Sequence, residues 1–338
     1  MPILQENVSL KPFNTFGIDV NAHYFAEVKS ETDLKEVFDS PIAKTQKLLV
    51  LGGGSNMLFT KDFEGLVVKV SIPGISYQVH GDEVTVIAGG GVVWNDLVNY
   101  CVAEGFAGIE NLSLIPGTVG ASPIQNIGAY GVELKDVFTS CTAFEIATGQ
   151  IRTFDHAACQ FGYRDSVFKN ELKGQYIITS VQFLLSKKAK LQTHYGAITT
   201  ELAHRNINEP TIADISTVVA DIRVSKLPDP KTIGNAGSFF KNPVISKEEF
   251  EILVQKFPAV VNYPAPNGKI KLAAGWLIEQ CGFKGIVVGE TGTWKNQALV
   301  LVNHGGASGQ EVYNFSEQII NAVYAKFLVG LEREVNIL

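Results

Sequence analysis

The sequence predicts an α+β chain built from two or three domains. Three observations carry that prediction. The chain has 338 residues, where a single domain takes roughly 100 to 200. Its apolar residues switch between the two-residue period of strands and the 3.6-residue period of helices. A proline-punctuated stretch, Leu227-Pro228-Asp229-Pro230, divides the last third from the rest. With 46% hydrophobic and 18% charged residues, there is apolar material for packed cores, unlike a disordered chain.

In chain order, KLLVL (Lys47 to Leu51), GLVVKV (Gly65 to Val70) and EVTVIAG (Glu83 to Gly89) read as strands beside glycine-rich turns. Trp94, Leu97, Val98, Cys101 and Val102 then form one helical stripe. Between Val137 and Leu185, CTAFEIATG, QIRTFD and YIITSVQFLL read as strands. Ile212, Ile215, Val218, Val219 and Ile222 share a helix face that ends before the proline stretch. Beyond it, Ser246 with Glu249 and Ser308 with Glu311 make capping boxes. They open helices carrying Phe250, Leu253, Val254 and Phe257, and Phe315, Ile319, Val323 and Phe327. Ala274, Leu277, Ile278 and Cys281 make a shorter stripe between them.

Lys plus Arg number 28 against 34 Asp plus Glu, a net charge of −6, so no basic footprint for nucleic acid is expected. No apolar run approaches the ~18 residues of a membrane span, and MPILQENVSLKPFNTFG has no export signature. A cytoplasmic location without membrane or protein partners is expected. The four cysteines form no C-x-x-C pair, so neither a metal site nor a thioredoxin-like site is expected. Cys101 and Cys281 are expected to face a core.

Of 32 glycines, 15 fall between Gly52 and Gly131. The nucleotide fingerprints nevertheless fail. Met57 and Trp94 occupy the third-glycine positions after Gly52-Gly53-Gly54 and Gly89-Gly90-Gly91, and no G-x-x-x-x-G-K-[ST] exists. What remains suits an anion differently. In LVLGGGSNMLF a strand runs into three glycines, Ser55 and Asn56, so backbone N–H groups can converge on a phosphate. IPGTVGASPIQNIGAYG (Ile115 to Gly131) adds four glycines among Thr118, Ser122, Gln125 and Asn126. Two such loops can clasp an extended dinucleotide, whereas one alone is more often a tight turn.

NTFG (Asn14 to Gly17), LGGGSN (Leu51 to Asn56), ENLSLIPGTVGASPIQNIGAYG, YRDS (Tyr163 to Ser166), GSFFKNP (Gly237 to Pro243), AAGWLIEQCG (Ala273 to Gly282) and LEREV together resemble the UDP-N-acetylenolpyruvoylglucosamine reductase family. The ordered matches run from near residue 11 to the C-terminus. The resemblance implies an FAD-binding domain of the vanillyl-alcohol-oxidase type in two subdomains, 1–70 and 71–225, then an α+β substrate-binding domain over 226–330 and a terminal segment 331–338. It implies non-covalent FAD, NADPH as hydride donor and a UDP-sugar substrate. The cofactor positions would be Asn14, Thr15, Gly52, Gly53, Gly54, Ser55, Asn56, Pro116, Gly117, Thr118, Gly120, Ala121, Ser122, Gln125, Asn126, Gly128, Ala129, Tyr130 and Gly131.

Family chemistry reduces an enol ether in peptidoglycan precursor synthesis. Hydride goes to the vinyl carbon remote from the ether oxygen, and the carbon bearing the carboxylate then takes a proton. The resemblance places Ser238 as proton donor, with Arg164 and Glu334 polarising the carboxylate. It points to Tyr163, Tyr195, Lys226, Asn242 and Gln297 for substrate binding. Without the resemblance, Ser238 reads as a turn residue, Arg164 as a surface ion pair and Glu334 as part of a fraying terminus. Two rival functions stay open at this point. A sugar or alcohol oxidase of the same superfamily often links FAD to histidine or cysteine, yet the first glycine loop has neither, the nearest downstream histidine being His80. A non-catalytic nucleotide-binding module would have no use for Arg164, Ser238 and Glu334 together.

Overall fold

The computed structural model describes residues 3–338. The chain forms two compact units whose segments interleave. The first comprises the segment ending at Val8, Ala22–Gly53 and Glu64–Arg223; the second comprises Ser9–Asn21, Gly54–Phe63 and Val224–Leu338.

The first unit holds two sheets. In the smaller, the strand order is Gln5–Ser9, Asn21–Val28, Phe63–Val70, Leu48–Leu51. Its last pair is parallel, with Leu48 opposite Leu66. Helix Glu31–Asp39 begins where the Ser30 hydroxyl accepts the Asp33 N–H at 3.1 Å, a side-chain N-cap. The helix buries Leu34 and Val37 against Ala26, Val28, Leu66 and Val68.

The larger sheet is antiparallel, in the order Ile151–Asp155, Phe138–Glu145, Tyr176–Ser186, Glu83–Gly89, Ile75–His80. Along Glu83–Gly89 the inward residues Val84, Val86 and Ala88 are buried, as strand alternation requires. They share a core with Trp94, Leu97, Val98 and Cys101 of helix Trp94–Ala103, so the expected stripe is the buried face, with Val102 at its margin. Trp94 satisfies its ring N–H on the Leu112 carbonyl at 2.9 Å, and burial pushes the Cys101 thiol up to about 12. A separate apolar cluster joins Ile198 and Leu202 of helix Gly196–His204 to Ile215, Val218, Val219 and Ile222 of helix Ile212–Lys226.

The second unit contains an antiparallel sheet in the order Gly234–Ser238, Gln297–Asn303, Thr291–Trp294, Val287–Val288. Its helices are Lys247–Lys256, Ala274–Gln280 and Gly309–Phe327. Both expected capping boxes are present at Ser246/Glu249 and Ser308/Glu311. A short parallel pairing of Asn336–Ile337 with Met57–Leu58 ties down the C-terminal tail. Among the described residues no helix is long and apolar enough to cross a membrane.

One core expectation fails. Cys281 is only partly buried, because helix Ala274–Gln280 stops before it and Cys281 serves as C-cap. Gly282 follows at φ +82°, a left-handed residue that terminates helices.

Candidate active site

In the first unit the two glycine loops lie backbone to backbone. A Cβ on Gly53 would stand 2.8 Å from the Gly117 Cα, and one on Gly52 would stand 2.7 Å from the Thr118 hydroxyl. Neither position accepts a side chain without displacing the opposite loop. The Thr118 hydroxyl is buried and has no hydrogen-bond partner, an uncommon condition for a buried donor. A phosphate oxygen would satisfy it. The donor set of this cradle therefore fits the diphosphate of FAD, with Thr118 and the backbone N–H groups of Gly52, Gly53 and Gly117 as the groups that would hold it.

Gly54 opens the loop's second-unit part. It sits at φ +62°, and a Cβ there would stand 1.9 Å from the Phe13 carbonyl, so only glycine fits. The Thr15 N–H donates to the Gly54 carbonyl at 3.1 Å, while its hydroxyl donates to the Asn235 carbonyl at 2.6 Å. Asn14 is buried and spends its side chain on its own loop, bonding the Leu10 and Ile18 carbonyls and the Ile18 N–H. It shapes the NTFG turn and has no side-chain donor left for a cofactor. Ser55 is half-buried, and the Asn56 side chain reaches the Glu334 carbonyl at 3.3 Å.

The second loop divides in the same way. The Ser122 hydroxyl donates to the Val119 carbonyl at 2.7 Å, and the Asn126 side chain bonds the Gly162 carbonyl, Glu133 and the Lys135 N–H. Both residues build the loop. A Cβ on Gly120 would stand 2.9 Å from the Gly90 and Ile178 carbonyls, which explains a glycine there by packing. Pro116, Ala121 and Gly131 are exposed, while Gln125, Gly128 and Ala129 are half-buried.

Arg164, also in the first unit, lies on a strained turn. Arg164, Tyr130 and Asn126 adopt φ of 55°, 50° and 45°, left-handed conformations that side-chain-bearing residues avoid and that gather at functional sites. The Arg164 guanidinium donates to the Gly128 carbonyl at 2.7 Å and lies 5.6 Å from the Tyr163 ring centroid. It is therefore anchored by the second glycine loop. Tyr163 and Tyr195 are exposed, and Tyr195 packs edge-on against Tyr130 at 5.3 Å. Sequence reasoning missed Arg223. It bonds the Tyr130 hydroxyl and lies close enough to Arg164 for mutual repulsion; burial lowers the Arg223 pKa and raises that of the Tyr130 phenol. Two guanidinium groups and a phenol brought together suit an anionic ligand.

In the second unit the strand Gly234–Ser238 carries a bulge. Asn235 pairs with Val302 but Ser238 with Val300, so an extra residue re-aims the strand end. Gly237 takes φ +69°, and its N–H is held by the Asn235 side chain at 3.0 Å. Ser238 is left exposed beside Phe239 and Phe240, both buried. The Phe239 carbonyl accepts the Glu334 N–H at 2.8 Å, which brings Ser238 and Glu334 onto neighbouring segments. The tail carrying Glu334 is fixed, not frayed. Asn242 accepts the Ala274 N–H at 3.0 Å, and Gln297 the Leu299 N–H at 3.3 Å. Lys226 is the exposed last residue of helix Ile212–Lys226.

Comparison with known proteins adds independent findings. The family described as FAD binding domain matches residues 22–155, and the UDP-N-acetylenolpyruvoylglucosamine reductase C-terminal domain matches 229–338. The UDP-N-acetylenolpyruvoylglucosamine reductase of Flavobacterium johnsoniae is 49% identical over 99% of both chains. Those of Chromobacterium violaceum and Pseudomonas aeruginosa are 48% and 49% identical, over 98% and 99% of this chain and 98% of theirs. The crystal structure of the Thermus caldophilus UDP-N-acetylenolpyruvylglucosamine reductase shares the fold, with a TM-score of 0.69 at 22% identity, covering 100% of this chain and 99% of that one. The chain is an FAD-dependent oxidoreductase with a vanillyl-alcohol-oxidase-type FAD-binding domain and an α+β C-terminal domain, and it belongs to the UDP-N-acetylenolpyruvoylglucosamine reductase family.

Proposed function

We propose that this chain reduces UDP-N-acetylglucosamine enolpyruvate to UDP-N-acetylmuramate at the expense of NADPH, in the cytoplasm, as a step of peptidoglycan precursor synthesis. The observation that carries the reading is near-half identity to reductases of that name along the whole chain. The four unpaired cysteines accord with a cytoplasmic setting. FAD, when bound, supplies the hydride relay between NADPH and the vinyl carbon.

The chain's own residues do the rest. Arg164, anchored on the Gly128 carbonyl, pairs with the substrate carboxylate and stabilises the negative charge that develops on it after hydride arrives. Glu334 is the second group that polarises that carboxylate. The Ser238 hydroxyl delivers a proton to the carbon bearing that carboxylate. Buried Phe239 and Phe240 root the end of the strand that carries Ser238 in the core. Lys226, Tyr195, Asn242 and Gln297 hold the UDP end, and Tyr163 packs beside Arg164. In this reading 1–70 and 71–225 serve the cofactor, 226–330 the substrate, and 331–338 delivers Glu334.

Anaerobic mixing tests it. NADPH should bleach the flavin absorbance, and the enolpyruvyl substrate should then restore it. A flavin that NADPH bleaches but this substrate does not reoxidise would overturn the assigned substrate.

A further inference from the structure

Helix Ala274–Gln280 starts with a feature that helix formation does not require. Gly275 is its second residue, and alanine favours a helix over glycine. Its φ lies outside the left-handed region, so its backbone conformation is open to any residue. A side chain is excluded there by one neighbour. A Cβ on Gly275 would stand 2.7 Å from the Gln297 Oε1, with Gln297 Cδ and Leu299 Cβ next at 3.7 and 3.8 Å. The carboxamide oxygen of Gln297 thus points at the bare backbone of Gly275.

The seat also fixes which end of the amide a ligand meets. Gln297 Oε1 accepts the Leu299 N–H at 3.3 Å, and one residue before Gly275 the Ala274 N–H donates to Asn242 Oδ1 at 3.0 Å. Both carboxamide oxygens are engaged by backbone donors, that of Asn242 at the start of the helix and that of Gln297 on its own strand. Each side chain is left to offer its NH2 group. Amide donors of this kind recognise carbonyl or phosphate oxygens, which a uridine diphosphate carries in quantity.

We propose that Gly275 is a positioning residue for the nucleotide end of the substrate: its missing side chain is the seat that orients Gln297 as a donor to a uridine diphosphate. The inference rests on the assignment of Gln297 to that ligand. Because the clash at 2.7 Å falls on the tip of a flexible side chain, Gly275→Ala should turn Gln297 away without disturbing the fold.

The test uses the flavin-loaded protein and UDP as probe, with affinity read by calorimetry and stability by thermal melting. Gly275→Ala should bind UDP about tenfold more weakly, the effect of one lost hydrogen bond, with an unchanged or higher melting temperature and full flavin content. Gln297→Ala should weaken UDP similarly. The double variant should be no worse than Gln297→Ala alone, since Gly275 acts only through that side chain. Gly275→Ala with Gln297→Asn, which shortens the amide, should regain part of the affinity. Normal UDP binding by Gly275→Ala alongside weak binding by Gln297→Ala would overturn the proposal and leave the ligand assignment standing. Normal binding by Gln297→Ala would remove both. A lower melting temperature in Gly275→Ala, or additive losses in the double variant, would make Gly275 a packing residue and overturn the proposal.

Discussion

The Glu334 N–H donates to the Phe239 carbonyl at 2.8 Å, so the residue after Ser238 and the C-terminal tail hold each other in register. Two further links flank that bond. Phe240 bridges to Arg333, and the Lys241 N–H donates to the Glu332 carbonyl at 2.9 Å. The tail is clamped from its other side by Arg333, whose guanidinium reaches the Ser316 hydroxyl at 2.9 Å and Glu317 at 2.7 Å and lies 4.4 Å from the Tyr313 ring centroid. Glu334 is thereby positioned by residues that have no chemistry of their own.

Arg333→Ala should release that clamp. The lost hydrogen bonds are worth about 1 to 3 kcal/mol, so the melting temperature should fall by several degrees. Flavin reduction by NADPH should hold, whereas reoxidation by the enolpyruvyl substrate should slow. Stopped-flow measurement of both half-reactions checks this, and equal slowing would mean that the tail supports the whole fold.

Acid should loosen the same clamp. The Arg333 hydrogen bond holds the Glu317 carboxyl below its ordinary value of 4.5. A lowered folded-state pKa contributes stability that is complete above the ordinary value and drains as the pH falls through the folded one. Wild type should therefore lose its advantage over Glu317→Gln below about pH 4.5. Thermal melts of both proteins across that range decide it; a constant difference would show that the pair contributes no linked protonation.

Gly53→Val should abolish flavin retention while leaving a folded chain, because a side chain there meets the Gly117 backbone. Thr118→Val removes only the unpartnered hydroxyl and should weaken FAD roughly 10- to 100-fold, the worth of one hydrogen bond to a charged group. Flavin absorbance per protein after desalting reads both. Full flavin in Gly53→Val would displace the cofactor from these loops.

Arg223 is expected to trade stability for binding. Replacing it with leucine removes a desolvated cation facing Arg164 and should raise the melting temperature, as relief of active-site strain commonly does. Affinity for the anionic substrate should fall by tenfold or more, about 1.4 kcal/mol. A variant that melts higher and keeps normal affinity would leave Arg223 outside the site.

How far the sequence reveals such residues depends on the range of the interaction. Ser308 with Glu311, or the Trp94 to Cys101 stripe, are local patterns, and local patterns survive in one dimension. The cradle was half legible: the glycines of both loops stand out, but only the fold shows that Gly53 faces Gly117, and that Asn14, Ser122 and Asn126 serve the loops themselves. Arg223 was illegible, since one cation on a helix also bearing Asp214 and Asp221 looks solvated until Tyr130 and Arg164 arrive from elsewhere in the chain. The hairpin Thr291–Asn303 and the strand Asn21–Val28 escaped for a related reason, being specified by long-range pairing more than by their own composition.

Ser238 offers the sharpest separation of proton transfer from hydride transfer. Ser238→Ala keeps nearly the same volume and removes only the hydroxyl of an exposed residue at a strand end, so folding and flavin content should be unchanged. NADPH needs no proton from this position, and flavin reduction should run at close to its normal rate. Reoxidation by the enolpyruvyl substrate should slow by roughly 10²- to 10⁴-fold, the contribution of a positioned general acid. Ser238→Cys should recover part of that loss, since a thiol placed on the same bulge can still release a proton. The bulge supplies a control: Gly237→Ala forces a side chain into φ +69° and should misaim Ser238 without removing its hydroxyl, slowing the same half-reaction to a smaller extent. An alanine variant with an unimpaired second half-reaction would remove Ser238 from the chemistry.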